Sequence, residues 1–283
     1  MNKITFIGAG SMAEAMMAGM VSNSMLESSH IWVTNRTNDT KLKALKDSYR
    51  INTTYDLHDL LADAEVVILA MKPKDAAVAL KQIKGHLTEN MLLVSVLAGI
   101  SIDTIQALIE KPIAIVRAMP NTSAAVGQSA TAMATNEHVT SKQLRMATAI
   151  FQTIGQTTIV KEQQLDAVTG LSGSGPAYIY YLVEAMEKSA VEIGLEKEMA
   201  KELIVQTLLG AASMLKQSSK EPRQMRREVT SPGGTTEAGI HVLEQHGVQE
   251  AFVKCIQEAT SQSKRLGMLL TEEIKGSAEY SQM

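Results

Sequence analysis

The sequence predicts a doubly wound α/β domain with a mostly parallel sheet, followed by an all-α domain, and three observations lead there. Short β-rich apolar runs alternate with helical patterns through the first half of the chain. The stretch Gly8-Ala-Gly-Ser-Met-Ala13 fits G-x-G-x-x-A and stands between the first such run and the first helical pattern. After about Val160 the strand-like runs vanish and long helical periods replace them. The alternation is informative because parallel strands need crossovers, usually helices, which cover both sheet faces and leave each strand apolar along its length.

In chain order, Lys3 to Ile7, His30 to Thr34, Glu65 to Ala70, Met91 to Val96 and Ile113 to Arg117 are the expected strands. Ser11 to Val21, Lys41 to Lys46, Asp75 to Lys84 and Ser101 to Glu110 are the expected helices between them. A helix from Lys142 to Ile154 has Thr140 or Ser141 as its N-cap and Gly155 as its stop, and Thr157 to Val160 forms a last strand. Ala177 to Ile193, Lys197 to Lys216, Thr236 to His246 and Gln249 to Leu266 then read as helices. The first of these carries Ile179, Leu182, Val183, Met186, Val191 and Ile193 on more than one side. A helix apolar all round must bury more than one face, so a second subunit is expected against it.

Composition narrows the function classes. The 27 basic and 30 acidic residues of this 283-residue chain give a net charge of -3, with no basic footprint for nucleic acid and no polybasic patch for a membrane. No stretch reaches transmembrane length without charge, and the opening run to Gly8 is too short for a secretory signal. Cys255 stands alone, which rules out an intrachain disulfide and fits a reducing cytoplasm, with the thiol expected as a small buried apolar group. Met12, Met16 and Met20 share a helical face and read as adaptable core. The six histidines show no metal spacing, so no metal site is expected.

The glycine turn assigns tasks to its residues. Gly8 makes the tight turn, Gly10 lets a pyrophosphate reach the backbone, Ser11 and Met12 open the helix, and Ala13 permits close packing: a Rossmann dinucleotide fingerprint. At the end of the second strand, Asn35-Arg36-Thr37 lacks the acid that holds an NAD ribose, and its arginine suits a 2′-phosphate. NADPH is therefore the expected cofactor, with NADH the other one such sites accept. Ala70-Met71-Lys72-Pro73 and Leu97-Ala98-Gly99 form further junctions where the cofactor would cross, with Lys72 either a ligand or a solvated side chain. The Asn121 amide is either a partner for the nicotinamide or part of an Asx-type turn. The small residues of Leu171 to Tyr178, with Pro176 near a helix start, allow close approach by a ligand or a neighbouring backbone. Ser231-Pro-Gly-Gly-Thr-Thr236 opens a late helix and reads either as a simple turn or as a second anion cradle with two hydroxyls at its mouth.

Together these segments resemble the pyrroline-5-carboxylate reductase family. The resemblance rests on Phe6 to Gly10, Met71 to Pro73, Arg117 to Thr122, Gly170 to Tyr178 and Ser231 to Thr236, of which the last two are the most specific. It implies an enzyme that reduces Δ1-pyrroline-5-carboxylate to L-proline with NAD(P)H. It also implies a Rossmann domain over 1–160 and a helical domain over 161–283 that binds substrate and interlocks two subunits, with dimers assembling into larger rings. The substrate carboxylate would fall to Ser231, Gly233, Gly234 and Thr235, and Thr236, the catalytic candidate, would contact the ring nitrogen. The chain departs from the family pattern with Ser123 after Asn121-Thr122, and with Leu57 and His58 where an Asn is frequent, which bears on adenosine contacts. The rivals are another imine reductase, a β-hydroxyacid dehydrogenase and a non-catalytic NADP-binding sensor. The second is disfavoured because Gly175 to Glu187 contains no lysine, and the third because a sensor needs no paired hydroxyls at Thr235 and Thr236.

Overall fold

The computed structural model describes residues 2–279, and their side chains as far as residue 272. The first elements are β1 (Ile4–Ile7), α1 (Ser11–Ser22), β2 (Ile31–Thr34), α2 (Asp39–Tyr49), β3 (Asn52–Thr53), α3 (Leu57–Leu61), β4 (Val66–Leu69) and α4 (Ala76–Ile83). Next come β5 (Leu92–Ser95), α5 (Ile102–Ile109), β6 (Ala114–Met119), β7 (Ser129–Thr135), α6 (Ser141–Gln152), β8 (Gly155–Ile159) and α7 (Leu165–Val168). A π-helical turn over Thr169–Gly173 precedes α8 (Gly175–Glu192), α9 (Lys197–Gln217), α10 (Pro222–Glu228), α11 (Thr235–Gln245) and α12 (Val248–Glu279).

The eight strands lie in the order β3-β2-β1-β4-β5-β6-β7-β8, and every neighbouring pair is parallel except β6 with β7. Side chains alternate across the sheet, which divides the core in two. Ile4, Phe6, Val66, Ile68, Val94 and Val116 pack on one face with α1 and α6, and Met16 and Met20 are fully buried there. Ile7, Val67, Leu69, Leu93 and Ile115 pack on the other with α4 and α5. The doubly wound reading of the first half is thus what the chain forms.

Several boundaries differ from expectation, each for a local reason. The helix expected over 41–46 runs from Asp39 to Tyr49, because the Asn38 side chain accepts from the Lys41 N–H and Arg50 ends it at φ 57°. Thr140 is the N-cap of α6 and forms a capping box with Gln143, but the helix ends at Gln152 and Gly155 begins β8 instead of stopping α6. The strand β7 was not expected, since Ser-Ala-Thr-Ala-Met-Ala-Thr carries a single large apolar residue. It forms because it pairs antiparallel with β6 and parallel with β8, where context outweighs weak β propensity.

Contacts divide the chain into two compact units, Met1–Ser174 with Glu258–Met283, and Gly175–Gln257. The first unit runs past residue 160 because Leu165 is buried against Ala132 and Ala134, which ties α7 to the sheet. It also takes up the later part of α12: Leu270 packs on the second face of the core and the Thr271 and Thr104 hydroxyls are 3.3 Å apart. Of the expected helical domain, residues 280–283 lie outside the described residues. In the second unit only Ala190, Ala200 and Ile204 are buried among its described residues, while Tyr181 is 77% exposed and Ile193 72%. Cys255, expected to be buried, is exposed, since among the described residues its stretch of α12 has almost no buried neighbours. Among the described residues no helix is long and apolar enough to cross a membrane.

One buried ion pair braces the far side of the sheet. Arg117 on β6 is 8% exposed, and its guanidinium donates to Glu162 Oε1 at 3.1 Å. The same oxygen accepts from the Ile102 N–H at 2.7 Å, at the start of α5. Glu162→Ala strands the buried cation and is expected to lower unfolding stability by about 3 kcal/mol, read from the urea midpoint at unchanged m value. Adding Arg117→Met to that variant is expected to restore much of the loss; no recovery would show that the pair does not act as a unit.

Candidate active site

The expected cofactor residues meet at the carboxyl ends of the strands. The Gly8 N–H donates to the Thr34 carbonyl at 2.9 Å, joining the β1 and β2 termini. Its φ is +111°, and a Cβ there would lie 2.5 Å from Ala70 C, Ala70 O and Met71 N. No side chain fits, so glycine is required for the loop to close on the β4 terminus. Gly10 is the N-cap of α1 and provides no side-chain cap. A Cβ on it would have one neighbour, the Ala70 carbonyl oxygen at 3.9 Å, so the backbone there is open to approach. The first-turn N–H groups of α1 are accordingly left for water or an anion, and the glycine cradle fits a pyrophosphate. Ser11 is exposed, whereas the Met12 side chain packs on the core and only its backbone is placed for a ligand.

The β2 terminus is built differently from a bare ribose site. Asn35 Nδ2 donates to the Asn38 carbonyl at 2.8 Å, and Asn35 Oδ1 accepts from the Asn38 N–H at 2.7 Å and from Tyr55 at 3.3 Å. The Asn35 amide therefore shapes the loop that presents Arg36 and Thr37. Tyr55 also donates to Asp39 Oδ1 at 2.7 Å, and this bond holds its phenol above the usual tyrosine range. Arg36 is exposed, and its Nη1 lies 3.6 Å from Asp75 Oδ1. Tyr55, Asp39 and Asp75 were not anticipated as site residues. Nothing in the local sequence marks Tyr55 or Asp75, because strand pairing brings them to Asn35 and Arg36, whereas Asp39 stands just after Arg36 at the start of α2.

At the next junctions Met71 packs on the second core face, Lys72 is exposed, and Pro73 begins a 3₁₀ turn before α4. Ala98 is exposed, while Gly99 sits so close to α12 that a Cβ would lie 3.2 Å from Gly267 Cα. Asn121 is buried and forms the Asx turn: its Oδ1 accepts from the Ser123 N–H at 3.1 Å. Its Nδ2 donates to the Ser172 carbonyl at 3.0 Å, so the amide clamps the loop after β6 to the π-helical turn. Gly173 in that turn meets Met119 Cε, where a Cβ would be 2.9 Å away. Gly173 thus serves a tight junction, whereas a Cβ on Gly175 would meet nothing within 4 Å.

In the second unit, Ser231 to Thr236 forms a turn leading into α11. The Gly234 N–H donates to the Ser231 carbonyl at 3.0 Å, and the Gly233 N–H donates to Glu237 Oε2 at 2.7 Å. Two of the expected anion donors are therefore engaged within the chain. Gly234 is the N-cap of α11 and supplies no side-chain cap, which leaves the Thr235 and Thr236 N–H groups at the helix start. Ser231, Thr235 and Thr236 are exposed. Glu237 is the residue that sequence reasoning missed, although an acid three positions after an N-cap is a capping signal. Beside the loop runs a groove lined by Arg226, Arg227, Thr230, Glu237 and His241, in which Arg226 pairs with Glu244 at 3.0 Å.

Comparison with known proteins covers nearly the whole chain. Residues 162–266 match the family described as pyrroline-5-carboxylate reductase dimerisation, and residues 3–99 match NADP oxidoreductase, coenzyme F420-dependent. Pyrroline-5-carboxylate reductase 2 of Bacillus subtilis (strain 168) is 46% identical over 266 residues, 94% of this chain and 95% of that protein. A solved pyrroline-5-carboxylate reductase from Coxiella burnetii superposes with a TM-score of 0.87 at 39% identity, covering 94% of this chain and 98% of that one. A Plasmodium falciparum pyrroline carboxylate reductase solved with NADP bound gives a TM-score of 0.85 at 28% identity, with the same coverage of each chain.

The Gly8 contact makes the cradle testable. Gly8→Ala must displace either the glycine loop or the Ala70–Met71 peptide, and is expected to weaken dinucleotide binding by about tenfold or more, read by nicotinamide fluorescence. A folded variant with undiminished affinity would show that the dinucleotide does not use this loop.

Proposed function

The chain belongs to the pyrroline-5-carboxylate reductase family, and from that membership we infer that it reduces the C=N bond of Δ1-pyrroline-5-carboxylate to give L-proline. One observation about the chain itself carries the assignment of roles. Helices α2, α3, α5, α6 and α9 each use a side chain to cap their N-terminus; α1, α4, α7, α10 and α11 use none, and of these five α1 and α11 are the two that begin on glycine. With no side chain in the way of close approach, we assign these two glycine starts to anions, one to a pyrophosphate and one to a carboxylate.

We assign the cofactor to residues 1–160. Gly8, Gly10, Ser11 and Met12 would hold the pyrophosphate, and Asn35, Arg36 and Thr37 the adenosine end. Ala70, Met71, Lys72, Pro73, Ala98 and Gly99 would flank the groove, and Asn121 would fix the loop on the nicotinamide side. NADPH is favoured over NADH because the guanidinium of Arg36 can meet a 2′-phosphate and no acid stands at Asn35 to bind the ribose diol. When bound, the cofactor supplies the hydride that adds to C5.

The remaining work falls to residues 161–283. The N–H groups of Thr235 and Thr236 and the hydroxyls of Ser231 and Thr235 hold the substrate carboxylate, while Gly233 and Gly234 keep the loop free of side chains for close approach. Fixing the acid group orients the ring, so that positioning accounts for much of the rate. The Thr236 hydroxyl donates to the ring nitrogen as it becomes an amine and regains a proton from water. A hydroxyl is a weak acid at neutral pH, so a substrate that arrives already protonated needs only the orientation. The exposed apolar faces of α8 and α9 support a homodimer, and we extend this to a ring of dimers in the cytoplasm.

Thr236→Val is expected to lower kcat/KM by about 100-fold while Thr236→Ser retains most of the activity, measured as NADPH oxidation with the five-membered imine acid. A near-normal value for the valine variant would remove the hydroxyl from the mechanism.

A further inference from the structure

The ion pair between Arg36 and Asp75 lies at the surface, outside both core faces of the sheet. Arg36 follows β2 and Asp75 follows β4, and β1 lies between these two strands, parallel to both. The contact of 3.6 Å from Arg36 Nη1 to Asp75 Oδ1 therefore spans the carboxyl end of β1, the end from which the Gly8–Gly10 loop departs. The arginine side chain is 86% exposed and the aspartate 34%. Asn35 cannot take over as partner, since its amide is committed to Asn38 and Tyr55. Asp39, the acid that begins α2 just after Arg36, accepts from Tyr55. Asp75 caps nothing with its side chain at the start of α4.

We propose that Asp75 is a specificity-determining residue whose carboxylate competes with the 2′-phosphate of the cofactor for the Arg36 guanidinium, and so tempers the preference for NADPH over NADH. The proposal rests on Arg36 being the 2′-phosphate ligand. A ribose diol carries no charge, so NADH binds without disturbing the pair. A 2′-phosphate must either draw the guanidinium away from Asp75 or share it, and in both cases it lies near a second anion. The guanidinium has five N–H donors in a fixed plane, which permits sharing but does not remove the repulsion between the two anions.

The test measures dissociation constants of NADPH and NADH from the fluorescence of the bound nicotinamide, without substrate, in the full-length protein. Asp75→Asn keeps the shape and removes the charge. It is expected to tighten NADPH roughly three- to fivefold while changing NADH by less than about twofold. In an Arg36→Gln background the same substitution is expected to have no effect, which a merely structural role for Asp75 would not produce. An unchanged ratio of the two constants in Asp75→Asn, or a weaker grip on NADPH, would overturn the proposal. Arg36→Gln alone separates the two levels of the argument: it should weaken NADPH by about tenfold with NADH little altered. Unaltered NADPH binding in that variant would remove the role of Arg36 itself, and Asp75's with it.

Discussion

The absence of room for a Cβ at Gly8 is the constraint on which the rest of the nucleotide unit depends. Three backbone atoms of Ala70 and Met71 occupy the space a side chain would need. The β1 and β4 termini are thereby drawn together, and the Gly8 N–H ties β1 to β2 on its other side. This close seating brings the start of α1 to the middle of the strand order, between the ends that carry Arg36 and Asp75. An alanine at Gly8 would have to push these termini apart, and the crevice with them.

How much of this could be read in advance depended on whether a residue's role is local. Strands β1, β2, β4, β5 and β6 were legible because each is buried on both faces and composed accordingly. The strand β7 was not, since its alanines and threonines acquire strand character only from β6 and β8 on either side. The glycine fingerprint and the Ser231 loop were legible as motifs. Tyr55, Asp75 and Glu237 were not read as site residues, for two reasons. The first two reach Asn35 and Arg36 through the pairing of distant strands, while the third stands at a capping position, three residues after the Gly234 N-cap, whose signal does not distinguish a cap from a loop brace.

The polar side chains around the two glycine loops follow a shared logic. Where a backbone amide is to be left for a ligand, neighbouring side chains are occupied elsewhere: Asn35 with its own loop, Asn121 with Ser123 and Ser172, and Glu237 with the Gly233 N–H. Such internal bonds fix loop shape before any ligand arrives, which reduces the ordering cost of binding. Among the described residues no buried side-chain nitrogen or oxygen lacks a hydrogen-bond partner. The openings at Gly10 and Gly234 are therefore features of the backbone and not of incomplete side-chain pairing.

The exposed apolar side chains of α8 and α9 have a consequence for how the molecule comes into being. With three buried residues between Gly175 and Gln257, this stretch has almost no core of its own. Its folding must then be coupled to meeting a second chain, so its stability scales with concentration. Newly made copies would pass through an interval in which these faces lie open to water. Dilution would act on this half of the molecule much as a denaturant does, while the sheet, with its two filled core faces, would be left largely indifferent to it.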